Sequence, residues 1–206
     1  MLLPHAYAQT EPQVIISWQA HTYTPPGYAG KALSTGGSKV SASLDVLHGG
    51  KLADLSGETF YWYLNNRLIS RGRGLTSVSL RAPEELRGSF SLRVEALSYR
   101  GGALLRAVNI PIVRPEAVLA APFPDAKVSS PLSLRGIPFF FNVTDPLELV
   151  TRWTVNGAPA SQTGNPTELT ATIQGAAGSA LSIALSFLNP AFDFEAAQAS
   201  ATFTLK

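Results

Sequence analysis

The sequence predicts an all-β chain built from two antiparallel β-sandwiches in tandem. Three observations carry that expectation: a composition rich in turn formers, apolar residues that alternate with period two, and a self-similarity at a constant offset of 91 residues. The 206 residues include 17 Gly and 15 Pro but one Met, and runs of helix formers are scarce, which favours short strands joined by turns. With 45% hydrophobic residues, 10 Phe, 6 Tyr, 3 Trp and a net charge of +2, the chain is not of the disordered class. The absence of cysteine removes thiol nucleophiles, Cys-ligated zinc, iron–sulfur clusters and disulfides together. No stretch approaches the roughly 18 to 20 apolar residues of a membrane helix, the most apolar being Ile137-Pro138-Phe139-Phe140-Phe141.

Taken in chain order, residues 1–11 read as the remnant of an export signal or a disordered N-terminus. Ala6-Tyr7-Ala8 has the small-x-small spacing of a signal-peptidase site, although Met1–His5 is too short for a whole leader. An opening strand is expected around Val14–Trp18. The loop Tyr23–Lys31 then lacks any alternation, and Ser34-Thr35-Gly36-Gly37-Ser38-Lys39 lacks the spacing of a phosphate-binding loop and reads as a turn. Val40, Ala42, Leu44 and Val46 mark the next strand. Phe60-Tyr61-Trp62-Tyr63-Leu64 marks another, running into Asn65-Asn66, and further alternating sets follow at Val78–Ala82, Phe90–Ala96 and Val108–Ile112.

Adding 91 to these later positions reproduces the pattern. Trp62 becomes Trp153 before Asn156-Gly157, Val78, Leu80 and Ala82 become Leu169, Ala171 and Ile173, and Phe90, Leu92, Val94 and Ala96 become Leu181, Ile183, Leu185 and Phe187. Val108, Ile110 and Ile112 become Ala199, Ala201 and Phe203. Four segments keep both parity and spacing, so the second half reads as a copy of the first. Strands before the tryptophan match less closely, with Phe139, Phe141 and Val143 standing where the second copy needs them. Each copy has about seven strands in about 90 to 100 residues, the size of an immunoglobulin-like sandwich. The expected domains are 12–114, basic, and 115–206, acidic, joined end to end at Val113-Arg114-Pro115-Glu116 with little swing. Trp62 and Trp153 share parity with apolar neighbours and are assigned to the structural core.

Tyr61-Trp62-Tyr63-Leu64-Asn65-Asn66 and Arg152-Trp153-Thr154-Val155-Asn156-Gly157 resemble the Trp-x-x-Asn/Asp-Gly turn of PKD-like and related Ig-like domains. The resemblance implies two tandem Ig-like (PKD-like) antiparallel sandwiches of a prokaryotic surface protein: an extracellular spacer, adhesion or binding module without catalysis of its own. The chain lacks the second acidic residue of the full Trp-Asp-Phe-Gly-Asp-Gly form.

No residue set stands out as catalytic, and no cofactor or metal is expected. His5, His21 and His48 are scattered, and Ser43, Asp45 and His48 occur without a nucleophile elbow. Asp125, Asp145, Glu148, Asp193 and Glu195 are candidate calcium ligands, but calcium needs six to eight oxygens and no loop supplies a dense acidic cluster, so they read as solvated loop carboxylates. Up to Arg114 there are 12 basic and 7 acidic residues, and from Pro115 there are 4 and 7, giving +5 and −3. Arg67, Arg71 and Arg73, with Arg81 and Arg93 outward by parity, form a candidate binding surface, set against a merely solvated arginine-rich face. Tyr23 and Tyr28 are candidate exposed aromatics on the long loop, set against a role covering the sandwich edge. Outward Ser200, Thr202 and Thr204 leave the last strand uncharged, open to strand addition, as is the opening strand. The expected partner is a protein in an exported envelope or surface assembly or filament, or an anionic surface polymer or glycan. Nucleic acid is not expected, because no helix or aromatic-interleaved basic motif accompanies the charge. The alternatives are a carbohydrate-binding accessory module, which needs an exposed aromatic row, and a hydrolase, which needs titratable groups converging in a pocket.

Overall fold

A computed structural model describes residues 12–85, 87–160 and 164–206, so the Ala6-Tyr7-Ala8 reading lies outside the described residues. Among the described residues all regular structure is β apart from one short 3-10 turn. The first eight strands are β1 (Gln13–Ala20), β2 (Lys39–His48), β3 (Lys51–Leu52), β4 (Thr59–Leu64), β5 (Arg67–Arg73), β6 (Ser77–Arg81), β7 (Gly88–Tyr99) and β8 (Gly102–Ile112). They form one sheet in which β2 pairs with β1, β3 and β6, and a second in the order β5-β4-β7-β8. Strands β9 (Glu116–Ala120), β10 (Lys127–Val128), β11 (Leu132–Phe139), β12 (Val150–Val155), β13 (Ala158–Pro159), β14 (Glu168–Ala171), β15 (Ala180–Leu188) and β16 (Ala196–Leu205) form sheets β14-β11-β9 and β10-β16-β15-β12-β13. Both sets follow the immunoglobulin-like plan, with A, B and E strands in one sheet and C′, C, F and G strands in the other.

The alternation explains each buried face. On β4, Phe60 and Trp62 are buried while Tyr61 and Tyr63 are not; on β15, Leu181, Ile183, Leu185 and Phe187 are buried in turn. Each tryptophan indole donates to a carbonyl 13 residues on, Trp62 Nε1 to Leu75 O at 2.9 Å and Trp153 Nε1 to Pro166 O at 3.0 Å. The turns repeat as closely. Asn65 and Asn66 have φ of 46° and 66°, Asn156 and Gly157 have 50° and 80°, the left-handed pair that a two-residue hairpin requires and that Asn and Gly tolerate. Asn65 Oδ1 accepts from Ser91 N and Asn156 Oδ1 from Ser182 N, both at 2.9 Å, and all four residues keep the 91-residue offset.

The chain divides into two compact units, each drawn from more than one stretch of sequence. One unit comprises residues 12–19, Val40–Arg81 and Ser89–Pro111; the other comprises Ala20–Lys39, Ala82–Gly88 and Ile112–Lys206. The physical reason lies in the second unit's own bonding. Tyr23 N donates to Phe141 O at 2.8 Å and Phe140 N to Tyr23 O at 2.7 Å, so part of the unpatterned loop runs as backbone partner to the end of β11. Re-counting charge by compact unit weakens the asymmetry. Among the described residues the first unit has 8 basic and 4 acidic side chains, net +4, and the second has 8 and 9, net −1.

Candidate binding face

The outward face of β5-β4-β7-β8 carries the chemistry of the first unit. Because Phe60 and Trp62 point inward, Tyr61 and Tyr63 point out, and register sets their neighbours. Arg71 and Glu95 flank Tyr61, and Leu68 and Arg93 flank Tyr63, a bulge between Trp62 and Tyr63 shifting β5 by one residue. The Arg93 guanidinium carbon lies 4.1 Å from the Tyr63 ring centroid, and the same guanidinium is ion-paired with Glu95. A ring stacked with a cation and a carboxylate holding that cation make a pre-ordered patch rather than a mobile one. Leu97 on β7 and Leu105 on β8 are 65% and 59% exposed, so the sheet surface also carries apolar side chains.

The structure places the sequence-derived arginines unevenly. Arg71 and Arg73 are exposed on the Tyr61 side, since their partners are Tyr61 and Thr59, and Arg93 belongs to the same surface. Arg67 pairs with Leu64, which puts it on the Trp62 side of the sheet, and Arg81 lies on β6 in the other sheet. Two of the five are thereby removed from the patch. Tyr61, Tyr63 and Glu95 were not singled out from the sequence, although parity against Trp62 places both tyrosines outward.

A second polar centre is structural in character. Glu195, fully buried, accepts at Oε1 from Thr35 Oγ1 (3.0 Å) and Asn142 Nδ2 (2.6 Å), and at Oε2 from Asn142 N (2.9 Å) and Asn189 Nδ2 (2.7 Å). Asn142 Nδ2 also donates to Gly36 O at 3.2 Å. The Ser34–Ser38 turn is buried with it, its hydroxyls 3.0 Å apart. Reading Glu195 as a solvated loop carboxylate is therefore incorrect: four neutral donors hold it inside. The other weighed acids are dispersed. Glu148 caps the 3-10 turn Pro146–Glu148 together with Asp145, and Asp125 lies 3.7 Å from Lys206. Among the described residues no group of three or more His, Cys, Asp or Glu is placed to hold a metal ion.

No family model matches the chain, and no curated protein matches it in sequence. Comparison with solved structures finds distant overlaps. The fibronectin(III)-like modules of Clostridium thermocellum CbhA are 15% identical, covering 94% of this chain and 93% of theirs, with a TM-score of 0.32. Yersinia pseudotuberculosis adhesin InvE is 14% identical over 93% of this chain and 58% of its own, with a TM-score of 0.29. Murine CEACAM1b is 12% identical over 93% and 99%, with a TM-score of 0.28. The fold assignment rests on strand order and register, not on these overlaps.

The loop tyrosines divide. Tyr23 is partly buried against the core of the second unit, and burial raises its phenol pKa above the ordinary value, so it is not a displayed aromatic. Its backbone pairing with Phe140 and Phe141 is the edge-covering role set against the binding one. Tyr28 is 40% exposed, with its ring edge-on to Phe139 at 5.4 Å and to Phe140 at 6.1 Å. Gly30 lies directly against the Tyr28 ring, where a Cβ would collide with it.

Proposed function

We propose that the chain is a non-enzymatic, exported surface or envelope protein. Its two units are copies of one PKD-like sandwich, and the first binds a protein partner through the Tyr61–Tyr63–Arg71–Arg93 face. One observation carries this reading. At the positions 91 residues on, the second unit has Arg152, Thr154, Ala184 and Ser186 where the first has Tyr61, Tyr63, Arg93 and Glu95, and the result is a shallow, small-residue surface. The inward residues stayed apolar in both copies while the outward ones diverged. Only the first copy carries tyrosines there with a stacked arginine, the second having Arg152 without an aromatic beside it, and tyrosine and arginine dominate protein-recognition hot spots. Packing does not require Tyr63 or Arg93 at outward positions, so their retention as an ordered pair is explained by contact with something else.

A protein fits this surface better than a polyanion does. Glu95 neutralises Arg93, and exposed leucines accompany the charge, whereas a polyanion site favours cations without carboxylates. Tyr63→Ala and Arg71→Glu should each abolish co-purification of a defined partner from the cells of origin, while Thr154→Ala, the same position in the second unit, should leave it intact. Recovery unchanged by the first two substitutions would sink the reading. The exposed Tyr28 ring supports a second reading, a glycan contact, which would appear as glycan affinity lost in Tyr28→Ala.

A further inference from the structure

We propose that the free edge of β8 accepts an extended segment of a partner polypeptide as an added strand, with an acidic side chain of that segment meeting Arg106. β8 ends its sheet, and among the described residues its one strand partner is β7. β8 runs for eleven residues, and short of its bridged end its edge offers a row of backbone donors and acceptors, which proteins ordinarily guard with charge, proline, bulges or shortness. The opposite edge of the same sheet, β5, is guarded in this way: Arg67, Arg71 and Arg73 lie along it and a bulge offsets it. β8 is not. Between Gly102 and Ile110 its only charged residue is Arg106, and its proline, Pro111, comes at the very end.

The space beside this edge is already open. A groove of about 510 Å³ runs between residues 105–108 of β8 and Pro12 with residues 13–16 of β1, itself the terminal strand of its sheet. Its lining is mixed, Val14, Ile15, Ile16, Leu105 and Val108 beside Gln13, Arg106 and backbone, and among the described residues no carboxylate lines it opposite Arg106. The end of β8 is bridged, Ile112 in parallel with Ser34, as Thr204 and Leu205 of β16 are with β10, so among the described residues the stretch 103–110 carries the open edge. An incoming strand would pair through its backbone with β8 and send alternate apolar side chains into the groove, the geometry of strand addition. Among the described residues no ion pair or hydrogen bond engages the Arg106 side chain, and its charge selects for acid in that strand.

This inference is independent of the tyrosine–arginine face, turning on Arg106 and the β8 backbone and sharing only Leu105 with that face. The probes are synthetic peptides of about eight residues, alternating valine and threonine with a central glutamate, a lysine counterpart, and the glutamate peptide N-methylated at alternate amides. The whole chain should bind the glutamate peptide about tenfold more tightly than the lysine peptide. Arg106→Glu should invert that preference, N-methylation should abolish binding, and hydrogen exchange should slow at β8 amides. Should Arg106→Glu fail to fold by thermal melting, Arg106→Ala should bind both peptides equally. Tyr63→Ala should leave peptide affinity unchanged. Absence of peptide binding, indifference to N-methylation, a preference unaffected by the Arg106 substitution, or loss of binding in Tyr63→Ala would each overturn the proposal.

Discussion

At Glu195 a charge-bearing side chain sits where water cannot reach, and its stability rests on geometry rather than on a counter-ion. Three side chains and one backbone amide supply four hydrogen bonds, enough to fill both oxygens. Replacing one oxygen by an amide NH₂ would turn an acceptor toward a donor from Asn142 or Asn189. Glu195→Gln should therefore lower the unfolding free energy by about 2 to 4 kcal/mol despite its equal volume, read by urea denaturation with an unchanged slope. A loss within experimental scatter would show that the network contributes no net stability. Nothing near Glu195 in the sequence announces this, because Thr35 is 160 residues away and Asn142 is 53 away. The outward tyrosines are a different case. Their orientation was legible from Trp62, and comparison with Arg152 and Thr154 at the 91-residue offset would have marked them as the diverged positions.

Strands and hairpins were the legible elements, since period-two alternation reports burial directly and Asn-Asn or Asn-Gly reports the turn. Loops were not. Tyr23–Lys31 shows no period, so its backbone pairing with the end of β11 could only come from three-dimensional structure. Among the short elements, the 3-10 turn Pro146–Glu148 has a complete capping box. Glu148 Oε1 accepts from Asp145 N at 2.8 Å, Thr144 Oγ1 at 2.9 Å and Thr144 N at 3.1 Å. These bonds, led by the one from the Asp145 amide, hold its carboxyl below the ordinary value of 4.5. A depressed folded value means that the contribution is complete above about pH 4.5 and is lost as pH falls through the lower folded value. Melting temperature should fall on acidification below that point, and Glu148→Gln should reduce the pH-dependent part of the fall. An identical acid profile in Glu148→Gln would remove the cap from the account. Elsewhere, Gly136 on β11 has no room for a side chain, since a Cβ would come within 2.5 Å of Leu185 and 3.0 Å of Phe187. Gly136→Ala should therefore cost about 1 to 3 kcal/mol by overpacking, read as a lowered denaturation midpoint.

On the scale of the whole chain, the all-β class with its antiparallel sheets was readable in the sequence. The second compact unit includes residues 20–39 and 82–88 beside 112–206. A fragment of residues 115–206 lacks Thr35, Gly36 and the Tyr23 backbone, and with them one donor to Glu195, one acceptor for Asn142 and the pairing at Phe140 and Phe141. That fragment should melt at a markedly lower temperature than the second transition of the intact chain, or without cooperativity. Equal melting temperatures would show that the borrowed segment is dispensable. The central claim is that one of two equivalent faces does the binding, and the repeat supplies its own control. A photo-crosslinking amino acid placed at Tyr63 and, separately, at Thr154 in the cells of origin tests it directly. The account predicts a discrete covalent adduct from position 63 and none from position 154. Adducts of equal yield from both, or from 154 alone, would contradict it.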